Sequence, residues 1–437
     1  MSQLQLFLPC AAGVEELLQL EAQRITGLDG ADVQKRRGGV LLSSSWRDAM
    51  LLNLHSRLTQ RVLVQLSHTG YRSENDLYDA ASAVAWEIWF TPRQSIKIEV
   101  TAQHSPLTSL NFAALKIKDA VCDRFRAKAN GVRPDVDTTW PDVRIFAHLT
   151  TDTVSLYIDT SGEPLFKRGW REDTGDAPLK ETLAAAMLAT SGWTGGRSQL
   201  VPLYDPCCGS GTIAIEAAQI ARRIAAGSRR RFAFEKYLPF QPHVWSAIKK
   251  EAVDQEIIGT AGQKPTIFGS DVAHRMVDFA QRNAQRAGVA DAIEFRGGDA
   301  LQRMPPSDEP GVMLVNPPYG ERISVAGLAG GKRGPAHATF GSERAPAHPT
   351  VGTNRGSHDD ARFGAREHAV LEGGGEFFNQ LAAHWKRNFA GWTAWVLTPD
   401  LKLPSTMRLK ESRRVPMWNG PIECRLFKFD MVKGSKR

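Results

Sequence analysis

Residues 200–212 read Leu200-Val201-Pro202-Leu203-Tyr204-Asp205-Pro206-Cys207-Cys208-Gly209-Ser210-Gly211-Thr212. A short apolar run stops at an acid, and a G-x-G loop then opens a helix over 213–224. Glycines at a strand-to-helix turn let the backbone come close to a ligand at the helix N-terminus. The same figure recurs downstream. The run 267–269 ends at Asp271 before a helix over 272–287, and 293–296 ends at Gly298-Asp299. The run 312–315 ends at Asn316-Pro317-Pro318-Tyr319. Repeated βα units predict an α/β domain with a mostly parallel, doubly wound sheet. In such a sheet the ligand lies beyond the carboxyl ends of the strands, where these polar clusters would meet.

Their chemistry narrows the ligand. With Ala214 the loop also satisfies the dinucleotide pattern G-x-G-x-x-A, but that pattern expects its ribose-binding acid about 20 residues further on. Here Asp205 precedes the loop, and the next acid at a strand end is Asp271. A carboxylate at Asp205 repels phosphate and suits a cation, which points to S-adenosylmethionine. Asp271 would accept from the two ribose hydroxyls, Asp299 from the adenine amine, and Asp205 would help hold the methionine end. The candidate cofactor-binding residues are Asp205, Cys208, Gly209, Ser210, Gly211, Thr212, Asp271 and Asp299. Any one of these acids also fits a helix N-cap. Their recurrence at successive strand exits favours one shared site.

Asn316, Pro317, Pro318 and Tyr319 are the candidate catalytic residues. An exocyclic base amine is a poor nucleophile because its lone pair is delocalised into the ring. The Asn316 side-chain oxygen and the Pro317 carbonyl can accept its hydrogens, Pro317-Pro318 stiffens that carbonyl, and Tyr319 offers a face for a flipped base. The same tetrapeptide also reads as a turn.

Working outward, residues 1–60 read as strand, helix, strand, helix, and 61–165 as strands with interposed helices, including a hairpin around Thr151-Asp152. Within this α+β region, residues 112–127 are amphipathic, with Leu115, Ile117, Val121 and Phe125 expected inward. Lys116, Lys118, Arg124 and Arg126 surround that face, as an RNA-binding or a merely solvated helix would. Residues 166–437 form the third expected unit, interrupted by a Gly-, Ala-, His- and Arg-rich insertion over 324–375 that lacks periodicity and reads as disordered. Arg229-Arg230-Arg231, followed by Phe232 and Phe234, could neutralise phosphates and stack bases, or form a solvated loop.

Composition bounds the rest. The chain has 437 residues, 42% hydrophobic and 23% charged, which excludes wholesale disorder and a collagen-like or disulfide scaffold. No apolar run reaches the ~20 residues of a membrane span, and the start lacks a signal peptide's features. Lys plus Arg number 55 against 47 for Asp plus Glu, a net +8 that favours a polyanionic partner. Five cysteines without a C-x-x-C fit a reducing cytoplasm and no metal site.

The motifs 205–212, 316–322 (NPPYGER) and 422–426 (IECRL) resemble those of the THUMP-containing class I RNA methyltransferases, most nearly the RlmL type. Lys116-Ile117-Lys118-Asp119, 167–171 (KRGWR) and 177–181 (APLKE) extend the likeness over nearly the whole chain. The resemblance implies ferredoxin-like and THUMP modules that grip RNA, ahead of a Rossmann-like methyltransferase domain. It implies formation of N2-methylguanosine in 23S (large-subunit) ribosomal RNA with S-adenosyl-L-methionine. The RNA-binding candidates are Lys116, Lys118, Arg168, Arg229, Arg230 and Arg231. One glycine loop and an end soon after IECRL suggest a monofunctional form. The rivals are a tRNA guanine-N2 methyltransferase, an adenine-N6 DNA methyltransferase, and a non-catalytic RNA-binding assembly factor.

Overall fold

A computed structural model describes residues 3–175, 178–195, 201–257, 266–317 and 375–432. The chain opens with β1 (Leu4–Pro9), α1 (Glu15–Thr26), β2 (Val33–Arg36), β3 (Gly39–Ser44), α2 (Trp46–His55) and β4 (Leu63–Gly70). It continues with α3 (Glu74–Ala83), β5 (Ile96–Ala102), α4 (Leu110–Lys128), β6 (Val143–Leu149) and β7 (Thr153–Asp159). These seven strands form a single sheet in the order β2-β3-β1-β4-β7-β6-β5. β4 is the bridging strand: one edge pairs with β1 and the other with β7, both antiparallel. The two N-terminal modules therefore share one hydrogen-bonded sheet. α2 starts on a reciprocal cap, with Ser45 accepting from the Asp48 N–H at 3.1 Å and Asp48 from the Ser45 N–H at 3.0 Å.

The second half contains α5 (Glu181–Ser191), β8 (Leu203–Asp205), α6 (Thr212–Ala221), α7 (Pro242–Asp254), β9 (Ile267–Asp271), α8 (His274–Ala287), β10 (Ile293–Gly297) and β11 (Val312–Val315). After the break come α9 (Gly375–Asn388), β12 (Thr393–Thr398), α10 (Leu403–Met407), β13 (Arg413–Asn419) and β14 (Ile422–Asp430). The strand order is β10-β9-β8-β11-β12-β14-β13. The first five run parallel, and β14 and β13 close the edge antiparallel. This is the expected Rossmann-like sheet. Its order reverses between β8 and β11, so the glycine loop and Asn316 leave neighbouring strands at the switch point. Except for Gly375, the insertion expected at 324–375 lies outside the described residues.

One hydrophobic core runs through both halves, from Leu6 and Trp46 to Ile213 and Leu426. At their junction Trp46 of α2 meets Trp89 and Phe234, and Phe234 in turn packs edge-on against Trp245 of α7. Phe232 stacks on Phe234 with centroids 5.2 Å apart. Both phenylalanines are buried, which corrects the expectation that they stack on RNA bases: the aromatics after the arginine run cement the modules together. Leu115, expected inward on α4, is 54% exposed. No helix among the described residues is long and apolar enough to cross a membrane.

The polar centre of this junction is Glu216 on α6, fully buried. Arg57, just after α2, donates to it at 2.8 Å, and Arg168, between the two sheets, donates at 3.0 Å. Arg168 also donates to the Leu165 and Arg57 carbonyls at 2.7 and 2.8 Å. Burial pushes the Glu216 carboxyl up, but the two guanidiniums outweigh it and hold the carboxyl below its usual range. Removing one partner from a buried ion cluster strands the remaining charges in low dielectric, at a cost of ~3–5 kcal/mol. Glu216→Ala should therefore lower the unfolding free energy of the full chain, read from urea denaturation, by an amount in that range, whereas Glu251→Ala, whose partner Arg47 is exposed, should change it by less than ~1 kcal/mol. Equal effects from the two substitutions would refute this role for Glu216.

Candidate functional site

The glycine loop is held from four directions. The Cys208 N–H donates to the Ser270 carbonyl of β9 at 2.9 Å, and the Gly209 N–H to Asp271 at 3.0 Å. Gly211, at φ +89°, caps α6, and a Cβ there would lie 3.0 Å from Ala280 and 3.2 Å from the Phe295 ring. Only glycine combines that backbone with that contact. Asn283 of α8 donates to the Ser210 carbonyl at 3.1 Å. Arg171 grips the loop's far side, donating to the Ser210 and Thr212 hydroxyls at 2.9 and 2.8 Å while Glu181 holds its Nε at 2.8 Å. Gly209 differs. It too has a positive φ, +52°, but nothing lies within 4 Å of its missing side chain, so the loop presents open space on that side.

The three acids stand at or just beyond the ends of neighbouring strands. Asp205 is buried at the end of β8 and accepts from the Cys207 N–H at 3.1 Å. Burial, reinforced by the charge of Asp271, pushes its carboxyl up to about 8. Asp271 accepts the Gly209 and Ala273 N–H groups on its two oxygens, which keeps lone pairs on both. Asp299 accepts from the Leu301 N–H at 2.9 Å. The Cys207 thiol senses all three: burial and then the charges of Asp205, Asp271 and Asp299 push it well above its usual value. Three carboxyl groups at the ends of three adjacent strands thus lie around Cys207 at the start of the open loop. That arrangement suits a ligand with a cationic centre and several hydroxyl or amine donors.

Asn316 and Pro317 leave β11 beside β8 and enter the same rim, Asn316 half-buried and Pro317 buried. Pro318 and Tyr319 lie outside the described residues. Other candidates take structural parts. The Ser210 and Thr212 side chains are occupied by Arg171, so they fix the loop where a direct cofactor contact was expected. Cys208 is buried, and burial pushes its thiol well above the ordinary value, which leaves it a packing group. Arg171, Glu181 and Asn283 were not singled out from the sequence as parts of the site. The signal existed in the KRGWR and APLKE motifs, whose Arg171 and Glu181 form the pair behind the loop.

The RNA candidates divide. Lys116 and Lys118 lie partly exposed on α4, Lys116 donating to Asn75 at 3.4 Å and Lys118 pairing with its neighbour Asp119. Arg229 and Arg231 are exposed. Arg168 is 1% exposed and committed to Glu216, which corrects its expected contact with RNA: a guanidinium sealed in the junction cannot reach a phosphate. Arg230 is likewise bound to the carbonyls of Pro164, Lys167, Ser161 and Glu163 and acts as a clasp between modules.

Comparison with known proteins agrees with this geometry. Residues 5–63 match the RlmL ferredoxin-like domain, 71–159 the THUMP domain, and 168–329 the RMKL-like methyltransferase domain. The chain is 34% identical over 96% of its length to the ribosomal RNA large subunit methyltransferase K/L of Psychromonas ingrahamii, covering 49% of that protein. It is 34% identical over 99% of its length to the same-named protein of Shewanella loihica, covering 54%. The chain thus spans about half the length of these curated relatives. Among solved structures, a predicted N6-adenine-specific DNA methylase from Listeria monocytogenes superposes with a TM-score of 0.77 at 26% identity, covering 98% of this chain and 96% of that one. SMU.472, solved in complex with SAH, superposes over the full length of both chains with a TM-score of 0.78 at 24% identity. With a ferredoxin-like module, a THUMP domain and a catalytic-type sheet joined in that order, the chain belongs to the RlmL-type family of THUMP-containing methyltransferases.

Proposed function

We propose that the chain methylates the exocyclic N2 of guanine in 23S ribosomal RNA, using S-adenosyl-L-methionine, in the cytoplasm. The observation that carries this reading is the convergence of Asp205, Asp271 and Asp299 on the rim that Asn316 and Pro317 also enter. A THUMP domain and relatives named for large-subunit ribosomal RNA support RNA over DNA and ribosomal RNA over tRNA. Five free cysteines accord with a reducing compartment.

The residues present fit the cofactor. The open face of Gly209 leaves room for it, and the buried carboxyl of Asp205, with no cation beside it among the described residues, suits a positive charge. Asp271 has lone pairs for two ribose hydroxyls, and Asp299 for the adenine amine. S-adenosylmethionine would supply the electrophilic methyl group. The chain's own work is alignment and charge stabilisation. Asn316 and the Pro317 carbonyl accept hydrogens from the guanine amine and draw it toward sp³ geometry, so that its lone pair points at the methyl. No side-chain nucleophile is needed, consistent with thiols at Cys208 and Cys424 that burial holds above the ordinary value.

Nucleoside mass spectrometry tests the product: cells lacking the protein should lose one N2-methylguanosine from 23S ribosomal RNA, while loss of N6-methyladenosine from DNA would favour the adenine reading. Asn316→Ala should lower kcat by roughly 10²- to 10³-fold with cofactor affinity unchanged in calorimetry. An unimpaired variant would remove Asn316 from the chemistry.

Asp205 adds a pH signature. Its carboxyl is largely protonated below about 8 in the free chain, and a bound ammonium favours the ionised form. Binding should therefore release a proton, and affinity should rise between pH ~6 and ~8 before the ligand's own amine deprotonates. Calorimetry in buffers of different ionisation enthalpy checks the release, and Asp205→Asn should abolish it. A flat profile in the wild-type chain would contradict the assignment.

A further inference from the structure

A cleft of about 1040 Å³ opens between the N-terminal sheet and the methyltransferase domain. Nine lysines and arginines line it against three acids. Those acids are already paired: Asp142 with Lys236, Glu163 with Lys167 and Glu181 with Arg171. Arg168 serves Glu216, Arg144 serves Glu99, and Arg230 serves backbone carbonyls. Lys180, Arg229 and Arg231 remain without an ion pair among the described residues. Lys180 lies 4.9 Å over the Phe166 ring.

The cleft's edge carries an indole out of keeping with a solvated loop. Trp140 is 72% exposed, and its ring stacks on no other among the described residues. Yet its backbone is fixed, because Asp137 accepts from the Thr139 and Trp140 N–H groups at 2.8 and 3.0 Å. Folding gains little from a large aromatic held rigidly in water. The floor of the cleft also adjoins the cofactor loop, since Arg171 in its lining donates to Ser210 and Thr212.

We infer that this cleft receives an unpaired segment of RNA, with Trp140 stacking on one base and Arg229, Arg231 and Lys180 contacting its phosphates. The inference rests on the RNA-methyltransferase reading and assigns the strand its path toward the site. Unneutralised cations spaced along a groove match a phosphate backbone, and an exposed aromatic face matches a base that is not hidden in a duplex. An acidic peptide would use the charges and leave the indole without purpose.

The test uses the full chain, a stem-loop RNA and a fully paired RNA of equal length, with binding read by fluorescence anisotropy. Wild type should prefer the stem-loop. Trp140→Ala should weaken stem-loop binding by about 5- to 100-fold and erase the preference, leaving duplex binding and cofactor affinity as they were. The double variant Arg229→Ala/Arg231→Ala should weaken both RNAs and reduce the salt slope by roughly 1.5. A preference that survives Trp140→Ala, or polyglutamate bound as tightly as the stem-loop, would overturn the proposal while wild-type methylation left the enzymatic reading intact. Wild type that binds neither RNA overturns both.

Discussion

The buried carboxylate of Glu216 holds this molecule in one geometry. It sits on the helix that the glycine loop opens, and its two guanidinium partners come from the ferredoxin-like module and from the segment between the sheets. A charge inside a protein is tolerated only where its partners arrive at fixed distances and angles. That requirement ties the helix after the glycine loop to residues on both sides of the junction at fixed distances. The aromatic cluster of Trp46, Phe234 and Trp245 then fills the space around it.

Around the cofactor loop the electrostatic design is opposite in kind. At the junction, the one buried carboxylate is more than matched by two guanidiniums. At the strand ends Asp205 has, among the described residues, a backbone N–H and a neighbouring acid for company, and so is left short of positive charge. On the proposed reading, such a site rests protonated and becomes competent when a cation arrives. The loop itself does not depend on the ligand for its shape, since Arg171, Asn283 and Ser270 brace it from the protein side. Preorganisation of this sort limits what must be ordered on binding.

Much of this was legible in the sequence because its signals are local. A strand that stops at an acid and turns on glycine announces itself within a dozen residues, and Asp205, Asp271, Asp299 and Asn316 all fell where the pattern put them. What was hidden depends on partners far along the chain. Arg168 and Arg230 look like their exposed neighbours until Glu216 and the carbonyls of 161–167 come into place. Phe232 and Phe234 follow an arginine run as RNA-stacking aromatics would, and only tertiary packing puts them inside. The helix α5 shows no stripe because it is buried nearly all round, so periodicity could not reveal it. Leu115 kept the helical rhythm of α4 and still faces water.

The bridging strand β4 has a mechanical consequence. Because it is hydrogen-bonded on both edges, it joins the seven N-terminal strands into one plate, and Glu216 bolts that plate to the methyltransferase domain. A frame of this stiffness works as a caliper. On the proposed reading, whatever the plate holds, the reacting nitrogen would lie a set span away, so a substrate would be chosen by its dimensions before any base is read.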